Sequence, residues 1–202
     1  MFIDKLMNKF GYSEMYEWSE LFKFDMVPYG RFVTFDENEP GKIKLANKGD
    51  YPIGVTTVNT VMTSDDPEEW QGKYLCNEYG DLYLQKERLA VGTKQYDQFN
   101  EINYIRTYPW EHYIKIENKY LEKDKKYVKR SKRIEWVRVN LVGKTIVKDN
   151  GECQPGKFCT VYSGKLKENW GTAVPYNEKK SKNKKFYVLD RLSENTILIL
   201  NK

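Results

Sequence analysis

Tyr12-Ser13-Glu14-Met15-Tyr16-Glu17-Trp18 sets two carboxylates three residues apart beside an indole. A second Glu-Trp pair, Glu135-Trp136, follows the basic run Arg130-Ser131-Lys132-Arg133-Ile134. On a helix, residues three apart are neighbours, so a helical backbone would put Glu14 and Glu17 on one face. Carboxylates that close oppose each other's ionisation. One then holds a proton as an acid while the other acts as a base, which is the equipment of amide cleavage. The plainer alternative is a pair of solvated glutamates in a first helical turn, where the helix dipole favours them. Spacing alone does not separate the two.

The basic array has a similar pair of readings. On a strand, alternate side chains point to opposite faces, so Arg133 and Glu135 share a face and form a partly buried ion pair beside Trp136. The chemical alternative has Arg130 or Arg133 stabilising an oxyanion or orienting a carboxylate.

The elements that must carry these groups read mostly as strands. Met1 to Phe10 has Phe2, Ile3, Leu6, Met7 and Phe10 on one stripe, the spacing of a short amphipathic helix that Gly11 ends. From Arg31 onward the period becomes two. Phe32, Val33 and Phe35, then Ile43 and Leu45, then Ile53 to Val61 predict three short strands, bounded by a Thr63-Ser64-Asp65-Asp66-Pro67 turn. Asn77-Glu78-Tyr79-Gly80-Asp81 predicts a hairpin turn between aromatic strands at Tyr74 to Leu84. Tyr96 to Tyr113, interrupted by Pro109, fits neither period and reads as an irregular insertion, taken as residues 96–126. Val137 to Val147, Gly156 to Tyr162, Phe186 to Leu189 and Thr196 to Leu200 predict the remaining strands, with a turn at Asp149-Asn150-Gly151. The expected architecture is mainly β, an antiparallel sandwich or barrel-like body over 11–202, preceded by a helix or linker at 1–10.

Composition agrees. At 202 residues one domain can bury a sizeable core without metals or disulfides. Aromatic residues make up 15 %, with 16 tyrosines, at a mean hydropathy of -0.78. That balance suits half-buried strands and wet contact surfaces. Three cysteines, Cys76, Cys153 and Cys159, cannot all pair within the chain, and the single His112 removes most zinc-type sites. Cys153 and Cys159 flank a glycine-bearing turn and read as neighbouring free thiols, buried or half buried. His112 reads as an exposed strand or loop residue. No apolar run approaches the ~20 residues of a membrane span, and the start lacks a secretory pattern, so a soluble chain not exported by that route is expected.

The ordered series of motifs resembles a known family across nearly the whole chain. Tyr12-x-Glu14-x-x-Glu17-Trp18 is followed by Gly30-Arg31-Phe32-Val33-Thr34, Lys42-Ile43-Lys44-Leu45-Ala46 and Ile53-Gly54-Val55. Glu69-Trp70-Gln71-Gly72-Lys73-Tyr74, Asn77-Glu78-Tyr79-Gly80, Arg130 to Val137 and Arg191 to Leu198 complete it. The series is similar to the glutamic-type autoproteolytic intramolecular-chaperone domain at the C-terminus of phage tailspike and pre-neck appendage proteins. The resemblance implies a virion-assembly protein that promotes folding and trimerisation of a fibre, assembled in the host cytoplasm, with itself and other virion proteins as partners. It further implies a single cut just before the Tyr-x-Glu motif, in the region of Gly11 and Tyr12. Glu14, assisted by Glu17, would be catalytic, with Trp18, Arg130, Arg133, Glu135 and Trp136 in support. The family pattern commonly has an aspartate before the tyrosine, where this chain has Gly11.

Two other functions fit parts of the sequence. A virion structural protein, capsid- or fibre-associated, would keep the fold and use its tyrosine-rich surface without chemistry. A nucleic-acid-binding protein would use the lysine runs at Lys119 to Arg133 and Lys179 to Lys185, with Tyr120 and Tyr127 for stacking. Against the latter stand 29 acidic residues for a net charge of only +5 and no recognised binding motif. No Gly-x-x-x-x-Gly-Lys loop occurs, so no nucleotide cofactor is expected.

Overall fold

The computed structural model describes residues 11–19, 28–47, 49–58, 60–89, 94–96, 102–105, 110–119, 126–178 and 184–201, with main chain only for 87–112. The helix expected over Met1 to Phe10 and most of the lysine run at 179–185 lie outside these residues. The chain divides into two compact units, residues 1–67 with 128–202 and residues 68–127. The stretch 96–126 falls within the second.

The first unit is a curled antiparallel sheet, a half-barrel, and the expected mainly β class holds. Its strands are β1 (Tyr12–Glu17), β2 (Phe32–Phe35), β3 (Ile43–Leu45), β4 (Gly54–Thr56) and β5 (Met62–Ser64). After the second unit come β10 (Trp136–Lys148), β11 (Phe158–Val161), β12 (Ala173–Pro175), β13 (Phe186–Ser193) and β14 (Thr196–Asn201). They join in the order β12-β11-β13-β14-β10-β4-β2-β3, with β1 beside β10 and β5 beside β1. The spine is β10, whose 13 residues serve several partners. Its first part pairs β1 and β4, and from Gly143 onward it pairs β14.

Two apolar clusters hold the unit. Phe32, Val55, Val147, Val161, Phe186, Val188, Ile197 and Ile199 belong to one. Trp18, Val33, Ile43, Val137 and Val139 form the other. Phe32 and Val33 are consecutive in β2 and alternate in direction, so this strand is covered on both faces. That explains why the apolar pair Phe32 and Val33 stands at adjacent positions rather than in strict alternation. The Phe32 and Phe186 rings meet at 4.6 Å, and each fully buried aromatic or aliphatic chain of this kind contributes about 1.5–3 kcal/mol.

The second unit contains β6 (Leu84–Leu89) paired with β9 (Trp110–Lys115), and β7 (Lys94–Tyr96) paired with β8 (Ile102–Ile105). The hairpin expected at Tyr74 to Leu84 is present. The Asn77 side-chain carbonyl accepts from the Tyr79 and Asp81 amides at 2.9 Å each, and Gly80 has φ +88°. His112 lies on β9.

Three local expectations change. The stretch Tyr96 to Tyr113 is not irregular throughout, because it carries β8 and most of β9. β9 takes its register from β6, which a broken local period cannot reveal, while β8 pairs with the nearby β7. The predicted turn at Thr63 to Pro67 gives Thr63 and Ser64 to β5, which lies parallel to β1. Arg130–Lys132 is a 3-10 turn rather than strand, and β10 starts only at Trp136. The Asp66 carboxylate accepts the Ser131 amide at 3.1 Å, and Arg130 bonds to the Asp65 carboxylate, which coils the chain there.

Candidate functional site

Strand β1 decides the site. Its odd positions Ser13 and Met15 are buried and its even positions Tyr12, Glu14 and Tyr16 share the other face. Glu14 and Glu17 therefore point to opposite faces, and the shared helical face considered from their spacing does not form. Alternation wins because β10 and β5 flank β1 and supply its main-chain partners.

Glu14 sits between two phenols. Tyr12 donates its hydroxyl proton to Oε1 at 2.7 Å and Tyr16 donates to Oε2 at 2.9 Å. The Tyr12 oxygen is also 2.6 Å from Ser64 Oγ on β5. Tyr12 directs its one proton to Glu14, so the Ser64 hydroxyl is the donor of that bond. A proton path thus runs from Ser64 through Tyr12 to the carboxylate. Burial, and then the hydrogen bond to Glu14, hold the Tyr16 phenol protonated well above the ordinary tyrosine value.

Immediately upstream, Gly11 turns the chain with φ +67°. Its carbonyl accepts the Val61 amide at 3.2 Å and the Thr60 hydroxyl at 3.1 Å. A Cβ at this position would collide with the Asn140 side-chain amide and the Val142 carbonyl. Aspartate, the residue of the family pattern, has no room on this backbone.

The other expected site residues lie elsewhere. Glu17 pairs with Lys42 at 3.2 Å, which also holds Glu39 at 2.8 Å. Trp18 is buried in the second cluster, and its amide donates to the Glu135 carbonyl at 2.9 Å. Trp136 pairs across the sheet with Glu17 rather than Glu14. The Arg130 guanidinium stacks 3.9 Å from the Trp136 ring centre, and that of Arg133 lies at 5.3 Å. Arg133 and Glu135 form the expected ion pair at 3.6 Å. These arginines are thus committed to Asp65, Glu135 and Trp136, an arrangement of packing rather than of charge aimed at a scissile carbonyl. Sequence reasoning missed Tyr16, Ser64 and Thr60. The signal for Tyr16 was present as Tyr12, Glu14 and Tyr16 at every second position, the period of one strand face. Ser64 and Thr60 come through a parallel pairing that leaves no local mark. Among the described residues no group of metal-ligating side chains converges.

A curled β half-barrel whose strand β1 carries a tyrosine-clamped glutamate defines the class: a β-built domain with one carboxylate held between two phenols on the same strand face. The model of the family described as Peptidase_G2, IMC autoproteolytic cleavage domain, matches residues 6–186, and the chain belongs to that family. The chain is 27 % identical over 175 residues to the preneck appendage protein of Bacillus phage PZA, covering 84 % of this chain and 18 % of that protein. It is 28 % identical over 138 residues to the pre-neck appendage protein of Bacillus phage phi29, covering 68 % of this chain and 14 % of the relative. The chain thus spans less than a fifth of the length of these curated relatives. Among solved structures, that of pre-mature bacteriophage phi29 gene product 12 superposes with a TM-score of 0.68 at 21 % identity, over 96 % of this chain and 22 % of the other. A C-terminal fragment of the same gene product gives 0.62 at 21 % identity, over 95 % of this chain and 99 % of the fragment. The two superpositions support the fold. The family resemblance carried by the ordered motifs holds.

Proposed function

We propose that this chain is the self-cleaving, assembly-assisting domain of a phage appendage, acting within a homotrimer, and that Glu14 promotes one intramolecular cut in the region of Gly11 and Tyr12. The observation that carries this reading is the Glu14 carboxylate held by Tyr12 and Tyr16 on β1, the strand that follows directly on Gly11, whose carbonyl accepts two hydrogen bonds. Glu14 takes a proton from water as the water oxygen attacks the carbonyl carbon. The C–N bond then breaks and the proton passes to the leaving amine, so no group is consumed but water. Effective molarities of ~10⁵ M or more make a weak base sufficient for a single turnover. Glu17, turned away toward Lys42, has no part in this step. The names of the relatives support the appendage context, with other virion proteins as partners.

A second reading, a virion structural protein that keeps the fold without cutting, is favoured by one observation: the family's aspartate is replaced by Gly11 at a position that cannot hold a Cβ. Intact mass of freshly expressed chain separates the two. Loss of the residues up to about Gly11, abolished by Glu14→Gln, supports cleavage. A full-length mass after prolonged incubation leaves the structural role.

A further inference from the structure

Cys153 and Cys159 have no role in the candidate site, yet local geometry brings their side chains together. Both are buried, at 1 % and 0 % exposure, in the apolar cluster that holds Phe186, Val188 and Ile199. The segment between them is a closed turn. Lys157 donates its amide to the Gln154 carbonyl at 3.2 Å, and the two central residues are Pro155 and Gly156, the latter at φ +78°. Proline at the first central position and a left-handed glycine at the second are the signature of a type II turn. The chain therefore reverses between the two cysteines, and Cys153 lies back alongside the start of β11. On that strand Phe158 is exposed and Cys159 is buried, so alternation aims Cys159 inward. The two thiols are hydrogen-bonded to each other.

The backbone is pinned at both ends of the turn. The Cys153 amide donates to the Asp149 carboxylate at 3.2 Å, and the Cys153 carbonyl accepts from Arg191. Beyond the turn, Gly156 donates to the Val188 carbonyl and Val188 to the Lys157 carbonyl, each at 2.9 Å. Cys159 itself is in register with Phe186 and Pro175 on the two neighbouring strands. Side-chain rotation is then the main motion needed to join the sulfurs. Groups held in place in this way react as though each were at very high concentration.

We propose that Cys153 and Cys159 are a modification site, at which a small-molecule disulfide of the glutathione class converts the thiol pair into an intrachain disulfide. The thiolate of one cysteine attacks a sulfur of the reagent, the reagent's S–S bond breaks and one reagent thiolate leaves. The second cysteine, also as thiolate, attacks the protein sulfur of the mixed disulfide and expels the other reagent thiolate. Two protein thiols are oxidised, one reagent disulfide is reduced to two thiols, and the two protein protons pass to the leaving thiolates. The Cys159 thiol, pushed up by its bond to Cys153 and by burial, rarely ionises in the folded chain, so exchange is slow there and faster while the chain folds. The link ties β11 to the segment gripped by Asp149 and Arg191, and it stabilises by restricting the unfolded chain.

The test uses the full chain carrying Cys76→Ser, which removes the exposed thiol. Refolding from denaturant in a mixture of oxidised and reduced glutathione reads the fast route, and holding the native reduced chain in the same mixture reads the slow one. The expected product has lost two hydrogens and both titratable thiols, carries no glutathione, and yields a peptide pair linking Cys153 to Cys159. Its thermal transition should lie about 5 °C above that of the same protein after dithiothreitol. The comparison is between two redox forms of one polypeptide, so it needs no substitution in the core. Free thiols by both routes, or a chain that stops as a glutathione adduct, overturn the inference, as does a linked chain that melts below its reduced form.

Discussion

Gly11 and Gly143 meet backbone to backbone: a Cβ on Gly143 would come within 2.8 Å of the Gly11 Cα. Both hold positive φ, +67° and +101°, which glycine adopts freely and other residues do not. The contact lies where β10 exchanges β1 for β14, so it fixes both the entry to the candidate site and the change of partner along the spine.

Gly11→Ala and Gly11→Asp should therefore each destabilise the fold by about 2 kcal/mol or more, from left-handed strain together with the collision at Asn140 and Val142. Thermal unfolding reads this as a lowered Tm. Restoring the family's aspartate should add no cleavage, since the strand must move before the side chain fits. A stable Gly11→Asp chain that cuts faster than the parent would refute the argument.

Tyr16 supplies a pH dependence. Its phenol is held protonated above the ordinary value by burial and by Glu14. A folded value above the unfolded one means that the native chain keeps a proton the unfolded chain gives up. Stability from this group is complete below about pH 10 and is lost as pH rises beyond it. Ultraviolet titration should find Tyr16 resisting ionisation until the chain unfolds, and Tyr16→Phe should weaken the alkaline loss of stability. A chain whose tyrosines all titrate together near the ordinary value would contradict this.

The thiols should divide sharply. Cys76 is exposed, while Cys153 and Cys159 are buried. The Cys159 thiol is pushed up by its hydrogen bond with Cys153 and by burial, so almost none of it is the reactive thiolate. An aromatic disulfide reagent should label one cysteine of the native chain at once and all three only after denaturation. Rapid native labelling of two or more would mean that this part of the core opens.

Arg191 forms a clamp away from the site. It grips Asp149 at 3.3 and 2.8 Å and also donates to the carbonyls of Ser193 at 3.1 Å, Glu194 at 2.8 Å and Cys153. The Asp149 side chain is fully buried. Arg191→Ala leaves that charge without its partner and should cost about 3 kcal/mol, measured by denaturant unfolding. Arg191→Lys should recover only part of it, because an ammonium cannot reproduce the two-pronged grip. A fully stable Arg191→Ala chain would show that Asp149 takes up its proton or finds water instead.

Much of the sheet was legible because its strands carry local alternation or short apolar runs, as at Phe32 and Val33 or Thr196 to Leu200. The turns at Asn77 and Asp149 were legible through their own side chains. What escaped was non-local. The parallel partnership of β1 with β5 converted the Glu14 and Glu17 pair from companions into opposites and brought Ser64 to Tyr12. The coil at Arg130 depends on Asp65 and Asp66, which sit far away in the chain. Stacking of Arg130 and Arg133 on Trp136 was anticipated only in outline, since spacing shows that an ion pair can form but not which ring it rests upon.

Strand β10 binds both the earliest and the latest described strands, β1 and β14, along one continuous backbone. A break in the chain ahead of β1 would sever none of the described ladders that this spine gathers. Strength in this body is thus centred on a single long strand, and a cut ahead of Tyr12 would leave that centre whole.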